Sequence, residues 1–440
     1  MFGFAHTRSK LWSLFTAIIA TLGTRAIDIP SRYGFHLLIA TNLGVIDAGG
    51  FYIVFGLLTI AAGLGRLGVD RAMTREIARA VARNDYEAAR YTIWQGLKCV
   101  LAFSSCAAAC MAVAAPFLAR ELFNDPKLEA SITLAAIALV PLCLSAAIAG
   151  ALAGLHRVNR SQMIYSWAWP ATFCAITFWQ DLTLIGAFQM MVASIAVTAF
   201  MAAGLLTEAW PHGGSRISPS KRDDLGFVRI GLSLFSIELV QLMIAALPLL
   251  VLGVVASQQE VGIYAMAWRL VLVINLLTVV IAAVASPRFA VAAMSANTGD
   301  LKLLSTQVLG VSLALSALPV LFLAIGSTYF LSLLGAGFEA GAATFQILLV
   351  SQVILLLSAC TPEMLGMSGK EKPIQFLNRI AMIMYIPVLI ILSMNFGDEG
   401  AGVATVLMTL VISIGSSLLA KKHLGFIPLL QLLHLEGRRS

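Results

Sequence analysis

Four ionisable side chains in one apolar stretch near the N-terminus are the first candidates for chemistry. The segment "GTRAIDIPSRYGFH", residues 23–36, contains Arg25, Asp28, Arg32 and His36 within an apolar stretch that runs from residue 11 to residue 43. On a helix that turns about 100° per residue, these side chains fall within an arc of about 80°. Charged groups at bilayer depth cost at least ~2.5 kcal/mol each and usually face a cavity or a partner. The spacing therefore indicates a polar helix face that lines a cavity.

A structural role for the same residues is the alternative. Asp28 would then neutralise Arg25 or Arg32 and hold two helices together. One carboxylate cannot neutralise two guanidinium groups, so at least one cation is left for another role. Pro30 lies between these charged residues and predicts a kink or an interruption of the helix. We favour the cavity-lining role, because ionisable residues inside a membrane are functional candidates by default.

Polar residues elsewhere in apolar stretches extend this candidate set. Glu238 and Gln241 follow Arg25 and Asp28 at an offset of 213 residues, so the counterpart of the polar face is polar too. Arg269 lies deep in another apolar stretch and is the next candidate. Three further cations lie near span ends, where snorkelling to the interface is an equal alternative: Arg66, Lys98 and Arg379.

Cations outnumber acids among the residues placed inside the membrane. Six cations but three acids, Asp28, Glu238 and Glu363, lie inside the apolar stretches when Arg229 and Lys302, at stretch ends, are counted with the loops. A surplus of positive charge suits an anionic ligand, above all one with phosphate, because arginine binds phosphate through a planar bidentate fork.

The elements that position these residues are membrane-spanning helices. Hydrophobic residues make up 59% of the 440 residues and charged residues 12%, whereas about 25% of a soluble domain is charged. A helix needs about 20 apolar residues to cross ~30 Å of hydrocarbon. Twelve stretches meet this requirement: 11–43, 49–69, 92–118, 130–154, 162–180, 182–206, 227–255, 261–286, 301–325, 341–366, 374–395 and 400–420. The sequence therefore predicts an all-α polytopic membrane protein with about twelve spans.

The loop charges predict the topology. One alternating set of connections, which includes both termini, holds 21 Lys and Arg residues, and the other set holds two, Arg120 and Lys127. By the positive-inside rule both termini are cytoplasmic. The outer connections are short, which argues against a polymerase or ligase with a large external catalytic loop. The first stretch has charges at its centre and is not a cleavable signal peptide.

The two halves of the chain repeat each other at an offset of 212 residues. Gly50 and Tyr52 match Gly262 and Tyr264, and the polar segment "EAWPHGGSRISPSKRDD" lies between the copies. This pattern predicts a six-helix lobe over 1–207, a cytoplasmic linker over 208–226, a second six-helix lobe over 227–425 and a tail over 426–440. Such paired repeats are common in transporters, with binding near the midplane.

Enzyme, metal and nucleic-acid functions find no support in the sequence. No phosphate-binding loop, HExxH or GxSxG motif is present, so we expect neither an enzyme nor a protein-bound cofactor. The basic residues are spread over short loops and form no nucleic-acid face. All six cysteines lie in apolar stretches without the spacing of metal ligands: Cys99, Cys106, Cys110, Cys143, Cys174 and Cys360.

Several segments together resemble a transporter family. They are "NLGVIDAGGFYIVFGLLTIAAGLGRLGVDRAMTREIA" (42–78), "LPLLVLGVVASQQEVGIYAMAWRL" (247–270), "SPRFA" (286–290), "MLGMSGKEK" (364–372) and "GDEGAGVATVLMTLVISIGSSLLAKKHLG" (397–425). The chain resembles the Wzx-type O-antigen flippases, the polysaccharide-transporter branch of the multidrug, oligosaccharidyl-lipid and polysaccharide (MOP) exporter superfamily. Peptidoglycan-precursor flippases of that superfamily are a looser match, because they usually carry two additional spans.

The resemblance implies a fold and a function. It implies two six-helix bundles arranged as a V, alternating access, and passage of an undecaprenyl-diphosphate-linked oligosaccharide to the outer leaflet of a bacterial inner membrane. The family's cationic lumen carries over to Arg25, Arg32 and Arg269. Implied partners are the lipid-linked oligosaccharide, the bilayer, a polysaccharide polymerase and chain-length proteins. Asp28 or Glu238 is a candidate for coupling to H⁺ or Na⁺.

Substrate identity stays open at this point. Groups that would select a sugar are polar or aromatic residues that also serve as packing or interface anchors: Trp167, Trp169, Gln189, Trp268 and Asn275. A small-molecule or cation exporter of the same architecture is one alternative, and it should have an acidic lumen. A scaffold of the glycan assembly machinery that does not transport is the other, and its lumen charges should be dispensable.

Overall fold

The chain is an all-α membrane protein, as predicted. The computed structural model describes residues 27–212, 224–294, 298–358 and 361–436, and its regular elements in these ranges are all helices. Eight of the described helices are long and apolar enough to cross a membrane. Two of these eight, Asp28–Arg66 and Glu371–Leu424, each consist of two helices joined at a glycine. The described residues therefore contain more than eight segments that could cross a membrane.

The helices before residue 256 are numbered α1 to α8. A π-helical segment, Leu118–Leu122, continues α3, and a second one, Met163–Trp167, joins α5 to α6. The bounds are α1 Asp28–Arg66, α2 Val69–Ala82, α3 Tyr86–Phe117, α4 Leu128–Gly154, α5 Val158–Gln162, α6 Ala168–Thr177, α7 Leu184–Glu208 and α8 Asp224–Val255.

The helices after residue 256 are numbered α9 to α15. A 3₁₀ turn, Phe338–Gly341, precedes α12. The bounds are α9 Gln258–Met294, α10 Thr298–Ile325, α11 Ser327–Ser332, α12 Ala342–Leu357, α13 Thr361–Met367, α14 Glu371–Leu424 and α15 Pro428–Glu436.

Helix α1 folds back on itself at Gly44. This glycine has a φ of 68°, in the left-handed region that glycine enters without steric cost. Eight residues to either side, the His36 Nδ1 and Tyr52 Oη atoms lie 3.1 Å apart, so the two halves of α1 run side by side. The break falls between the predicted stretches 11–43 and 49–69.

The departure from helical geometry in α1 is therefore at Gly44 and not at Pro30. Pro30 is the third residue of α1. In the first turn of a helix the backbone N–H groups have no intrahelical acceptor, so a proline there breaks no hydrogen bond. The helix that the structure describes has no kink at Pro30. Whether the apolar stretch 11–43 is interrupted there stays a prediction, because the residues before 27 lie outside the described ranges.

Helix α14 has the same construction around Gly397, whose φ is 54°. The Tyr385 hydroxyl lies 3.2 Å from the Thr405 hydroxyl across the turn. The break separates the predicted stretches 374–395 and 400–420, which are the last two spans. Hydropathy thus located both pairs of spans, and a glycine between the members of each pair makes the turn.

The described residues form two compact units. The first comprises Ile27–Gly262, and the second comprises the described residues from Ile263 onward. In the first unit α4 is central and contacts α1, α2, α3 and α7, while α8 packs against α1 and α2. The predicted lobe boundaries, 1–207 and 227–425, stay a prediction.

An aromatic core holds the first unit together. Phe35, Phe51, Phe173 and Phe188 are fully buried. The Phe35 and Phe173 rings meet edge to face at 4.9 Å, and the Phe51 and Phe188 rings stack at 4.7 Å. Such contacts join α1 to α6 and α7, and these are the helices that carry the candidate site.

Candidate functional site

A partly polar cavity of about 210 Å³ lies within the first unit. Helices α1, α4, α6, α7 and α8 and the π-helical segment Met163–Trp167 all contribute to its wall. Apolar side chains cover most of the wall, and the polar and amphipathic residues on it are Thr59, Arg66, Ser145, Tyr165, Trp169 and Thr198.

Arg66 is the charged residue of this lining, and several contacts hold its guanidinium group. It is the last residue of α1, and its side chain is 11% exposed. The Nη1 atom lies 3.1 Å from Asp70 Oδ2 and 3.4 Å from the Tyr165 hydroxyl, and Nε donates to the Ala62 carbonyl at 3.2 Å. The group is therefore oriented before any ligand arrives.

Asp70 completes this pair from the next helix. Leu67 and Gly68 adopt left-handed φ values of 45° and 72° and end α1, so that α2 begins at Val69. Asp70 then lies in the first turn of α2, where a carboxylate is favoured by the helix dipole. Its side chain is 6% exposed, which makes Arg66 and Asp70 a buried ion pair.

The π-helical segment brings a second arginine to the same region. Pro170 has no N–H group. The carbonyl of Ser166, four residues earlier, therefore lacks its usual helical donor. Arg32 Nε donates to the Ser166 carbonyl at 3.2 Å. Arg32 and Arg66 thus contact neighbouring residues, Ser166 and Tyr165, of a π-helical turn, a feature frequent at functional sites.

Arg32 also forms an ion pair within its own helix. Its Nε lies 3.0 Å from Asp28 Oδ1, and the Arg32 side chain is 50% exposed. The structural alternative had Asp28 neutralise Arg25 or Arg32 in order to hold two helices together, whereas this pair lies within one helix. Arg25 lies outside the described residues.

His36 belongs to an aromatic cluster. Its ring centroid lies 4.8 Å from that of Phe35 and 6.3 Å from that of Phe55, and its Nδ1 atom contacts Tyr52. Trp169, a cavity residue, packs against the other side of this cluster at 4.9 Å from Phe35. His36 is therefore next to the wall of the cavity and not on its surface.

The remaining candidates are not brought to this cavity by the structure. Arg269 lies in α9 of the second unit, is 8% exposed and donates to the Ala265 carbonyl at 2.8 Å. Asn275, in the same helix, is partly buried, whereas Lys98 and Arg379 are exposed. Glu238 and Gln241 lie in α8, but their side chains are outside the described residues.

Sequence reasoning missed two polar partners of the site. Asp70 follows the apolar stretch 49–69 and was not among the candidates, although its spacing of four residues from Arg66 is a helical pairing signal. Tyr165 is 99 residues away from Arg66 in the chain, and no local pattern could have paired them. Because Arg32 and Arg66 each have an aspartate partner, the surplus of cations is smaller than the sequence count indicates.

Comparisons with known proteins place the chain in a family and a fold. A family model described as "Polysaccharide biosynthesis protein" matches residues 18–292. A comparison with curated proteins found no match.

Solved structures share the fold. The inward-facing conformation of a multidrug resistance MATE family transporter of the MOP superfamily is 17% identical with a TM-score of 0.69, over 93% of this chain and 98% of that one. The outward-facing conformation of such a transporter is 18% identical with a TM-score of 0.59, over 93% of this chain and 95% of that one. A MOP superfamily transporter from Pyrococcus furiosus is 16% identical with a TM-score of 0.61, over 94% of this chain and 95% of that one. At these identities the likeness establishes the fold alone.

Proposed function

Because the chain belongs to the polysaccharide biosynthesis protein family, we propose that it moves a polyprenyl-diphosphate-linked oligosaccharide from the cytoplasmic to the outer leaflet of a bacterial inner membrane. The proposed mechanism is alternating access by a multi-pass transporter, in which the lipid tail stays in the bilayer. The observation that carries this proposal is the cavity that presents the Arg66 guanidinium beside two aromatic side chains.

Arg66 supplies the chemistry that a diphosphate needs. A guanidinium group binds phosphate oxygens in a planar bidentate fork, which an ammonium group cannot do. Asp70, Tyr165 and the Ala62 carbonyl hold the guanidinium group in one orientation, so little side-chain entropy is lost when the ligand binds. These contacts use Nη1 and Nε, so a phosphate bound in the bidentate mode replaces one of them. The charge also acts in a partly buried site, where the effective dielectric constant is lower than in water.

The aromatic residues and the volume suggest which part of the substrate enters. Tyr165 and Trp169 offer apolar ring faces with polar edges, which suit a sugar ring. The volume of about 210 Å³ is below the roughly 300–1,000 Å³ of sites for drug-sized ligands. We therefore propose that the diphosphate and an adjoining sugar occupy this cavity while the rest of the oligosaccharide lies outside it.

The sign of the lining charge separates this function from cation export. For the Pyrococcus furiosus transporter of this fold, a reversed polarity of the binding pocket suggests a different function. A cation exporter needs carboxylates on its pocket wall. Among the described residues that line this cavity, the permanently charged side chain is that of Arg66, which is positive. That favours an anionic substrate over the exporter alternative. A scaffold that does not transport would tolerate the loss of Arg66.

Complementation tests the proposal. Cells that lack the flippase would receive the wild type, Arg66→Lys, Arg66→Gln or the exposed control Arg83→Gln, and surface polysaccharide and resistance to toxic cations would be measured on each. We expect Arg66→Lys to retain part of the glycan signal, Arg66→Gln to lose at least about tenfold, the loss expected for a hydrogen-bonded charge, and Arg83→Gln to match the wild type. Unchanged glycan with increased cation resistance in Arg66→Gln would overturn the proposal.

The direction of transport rests on cytoplasmic termini, which the loop charges favour. In a cysteine-free background, single cysteines at residues 79 and 370 should resist an impermeant reagent applied to intact cells. Cysteines at residues 47 and 398 should react. The opposite pattern would reverse the proposed direction. Coupling to H⁺ or Na⁺ through Asp28 or Glu238 is part of the same proposal and is tested by imposing either gradient on proteoliposomes.

A further inference from the structure

One exposed face of α3 combines cations and tryptophan at one end with apolar side chains along the rest. Lys98 is exposed, Trp94 is 57% exposed, and the Trp94 ring meets the Trp210 ring at 6.0 Å. We propose that Arg90, Trp94, Lys98 and Trp210, here called the headgroup surface, bind the headgroup of an anionic phospholipid. This binding site is separate from the transport cavity.

The length of α3 places Lys98 at the edge of the hydrocarbon layer. From Lys98 to Phe117 the helix rises about 28 Å at 1.5 Å per residue, close to the ~30 Å thickness of the hydrocarbon core. Arg120, whose side chain is 61% exposed, follows Phe117 by three residues and marks the opposite edge. Lys98 therefore lies at the level of the phosphates in the leaflet nearer to it and not at the centre of the membrane.

The face between these two edges suits acyl chains. Leu101 is 47% exposed, Val113 is 82% exposed and Phe117 is 62% exposed. A phospholipid whose headgroup lies at Lys98 would extend its chains along these side chains. The headgroup surface and this apolar stripe are therefore continuous on one helix.

The tryptophan pair is held in position about one helical turn, roughly 6 Å, from Lys98. Arg90 Nη1 donates to the Pro211 carbonyl at 3.1 Å, which ties the start of α3 to the chain that follows α7. Tryptophan is enriched at membrane interfaces because its ring is apolar and its indole N–H is polar. The two tryptophan rings therefore form an interfacial aromatic pair next to Lys98.

Charge complementarity selects an anionic lipid. Within the part of the chain that the structure describes, Lys98 makes no ion pair or hydrogen bond, so its ammonium group is available to a phosphate. Arg90 is one helical turn beyond Trp94 and adds a second positive charge. A zwitterionic headgroup would bring its own cation to this positive surface and bind less well.

The occupant is a bulk phospholipid and not the transported substrate. No residue of α3 is among the described residues that line the cavity around Arg66. Three of the four residues of the headgroup surface are thus on a helix that does not line this cavity, and the fourth, Trp210, lies beyond the end of α7 and is not a lining residue either. This inference does not depend on the proposed function and can fail without affecting it.

Native mass spectrometry of the full chain tests the inference. Phosphatidylglycerol and phosphatidylcholine of identical acyl chains would be titrated into detergent-purified wild type, Lys98→Gln, Lys98→Arg and the exposed control Lys302→Gln. We expect Lys98→Gln to weaken phosphatidylglycerol binding about fivefold, the effect of one cation at an anionic surface. Phosphatidylcholine binding should be unchanged, and Lys98→Arg and Lys302→Gln should match the wild type.

Three outcomes would overturn the inference. The first is phosphatidylglycerol binding that Lys98→Gln leaves unchanged, and the second is an equal loss for both lipids, which would make Lys98 a snorkelling residue without headgroup preference. The third is displacement of phosphatidylglycerol by equimolar polyprenyl diphosphate, which would assign the surface to the substrate. Equal melting temperatures of all four proteins, which we expect because both substituted lysines are exposed, exclude misfolding as the cause of any loss.

Discussion

Two arginine and aspartate pairs in the first unit have the same spacing and nearly the same distance but differ in burial. The exposed pair, Asp28 and Arg32, and the buried pair, Arg66 and Asp70, are each four residues apart, at 3.0 Å and 3.1 Å. The Arg32 and Asp28 side chains are 50% and 13% exposed, and those of Arg66 and Asp70 are 11% and 6% exposed, so the two pairs differ mainly at the arginine. Exposed pairs contribute about 0–1 kcal/mol, whereas breaking a buried pair costs roughly 3–5 kcal/mol. The same two residue types at the same spacing therefore contribute unequally to stability.

The two pairs also differ in what the arginine reaches. Arg66 contacts a side-chain hydroxyl on the cavity wall, that of Tyr165, whereas Arg32 contacts a backbone carbonyl that Pro170 leaves without a helical donor. Burial and cavity access, and not the density of charge in the sequence, therefore make Arg66 a better candidate for ligand binding than Arg32.

The largest effect should follow from removing the acid of the buried pair. Asp70→Asn leaves the Arg66 charge buried without its carboxylate, and we expect a loss of roughly 3–5 kcal/mol in the free energy of unfolding. The amount of protein in the membrane and the melting temperature of the purified protein measure it. Adding Arg66→Gln to Asp70→Asn should restore both, and failure of that restoration would contradict an ion-pair role for Asp70.

An intermediate effect should follow from removing the hydroxyl that orients Arg66. Tyr165→Phe keeps the ring but deletes one hydrogen-bond acceptor, at a cost of about 1 kcal/mol in stability. Because the fork is then less fixed, substrate transport should fall severalfold while the amount of protein is unchanged. Tyr329→Phe, at an exposed position of the second unit, is the matched control. Equal transport by both variants would remove Tyr165 from the site.

A small effect is expected at the exposed pair. Arg32→Gln removes an ion pair in which the arginine is half exposed, and it should lower stability by less than about 1 kcal/mol. The same melting measurement used for Asp70→Asn checks it. A loss as large as that of Asp70→Asn would abolish the contrast between the pairs.

The smallest effect is the salt dependence of that loss. At 1 M salt the Debye length is about 3 Å, so the difference in the free energy of unfolding between wild type and Arg32→Gln should shrink to a few tenths of a kcal/mol or less. The difference between wild type and Asp70→Asn should stay, because buried charges are screened much less. A parallel decline of both differences would show that the two pairs are equally accessible to ions.

The spans could be predicted from the sequence, because the cost of placing charges in hydrocarbon leaves long apolar runs wherever the chain crosses. The turns were less accessible to sequence reasoning. The breaks at Gly44 and Gly397 fall between predicted stretches. The described part of α1 has no kink at Pro30, because the first turn of a helix has no hydrogen bond to lose. Glycine conformation, not proline, shapes these two pairs of helices.

The site could be predicted only in part. Arg66 was recognised as an intramembrane cation, but its position near a span end made snorkelling an equal explanation. Its pairing with Asp70 was readable from their spacing, whereas its contact with Tyr165 depends on how the π-helical segment packs against α1. Tertiary packing of residues distant in the chain decided which of the cations lines a cavity.

Transport by the double variant Arg66→Gln with Asp70→Asn tests whether Arg66 binds the diphosphate. It removes the guanidinium fork without leaving a buried unpaired charge, so folding and ligand binding are separated. We expect wild-type melting and membrane abundance but at least about tenfold slower flipping of a polyprenyl-diphosphate-linked oligosaccharide in proteoliposomes. Flipping at the wild-type rate by this well-folded variant would contradict the claim that Arg66 binds the diphosphate.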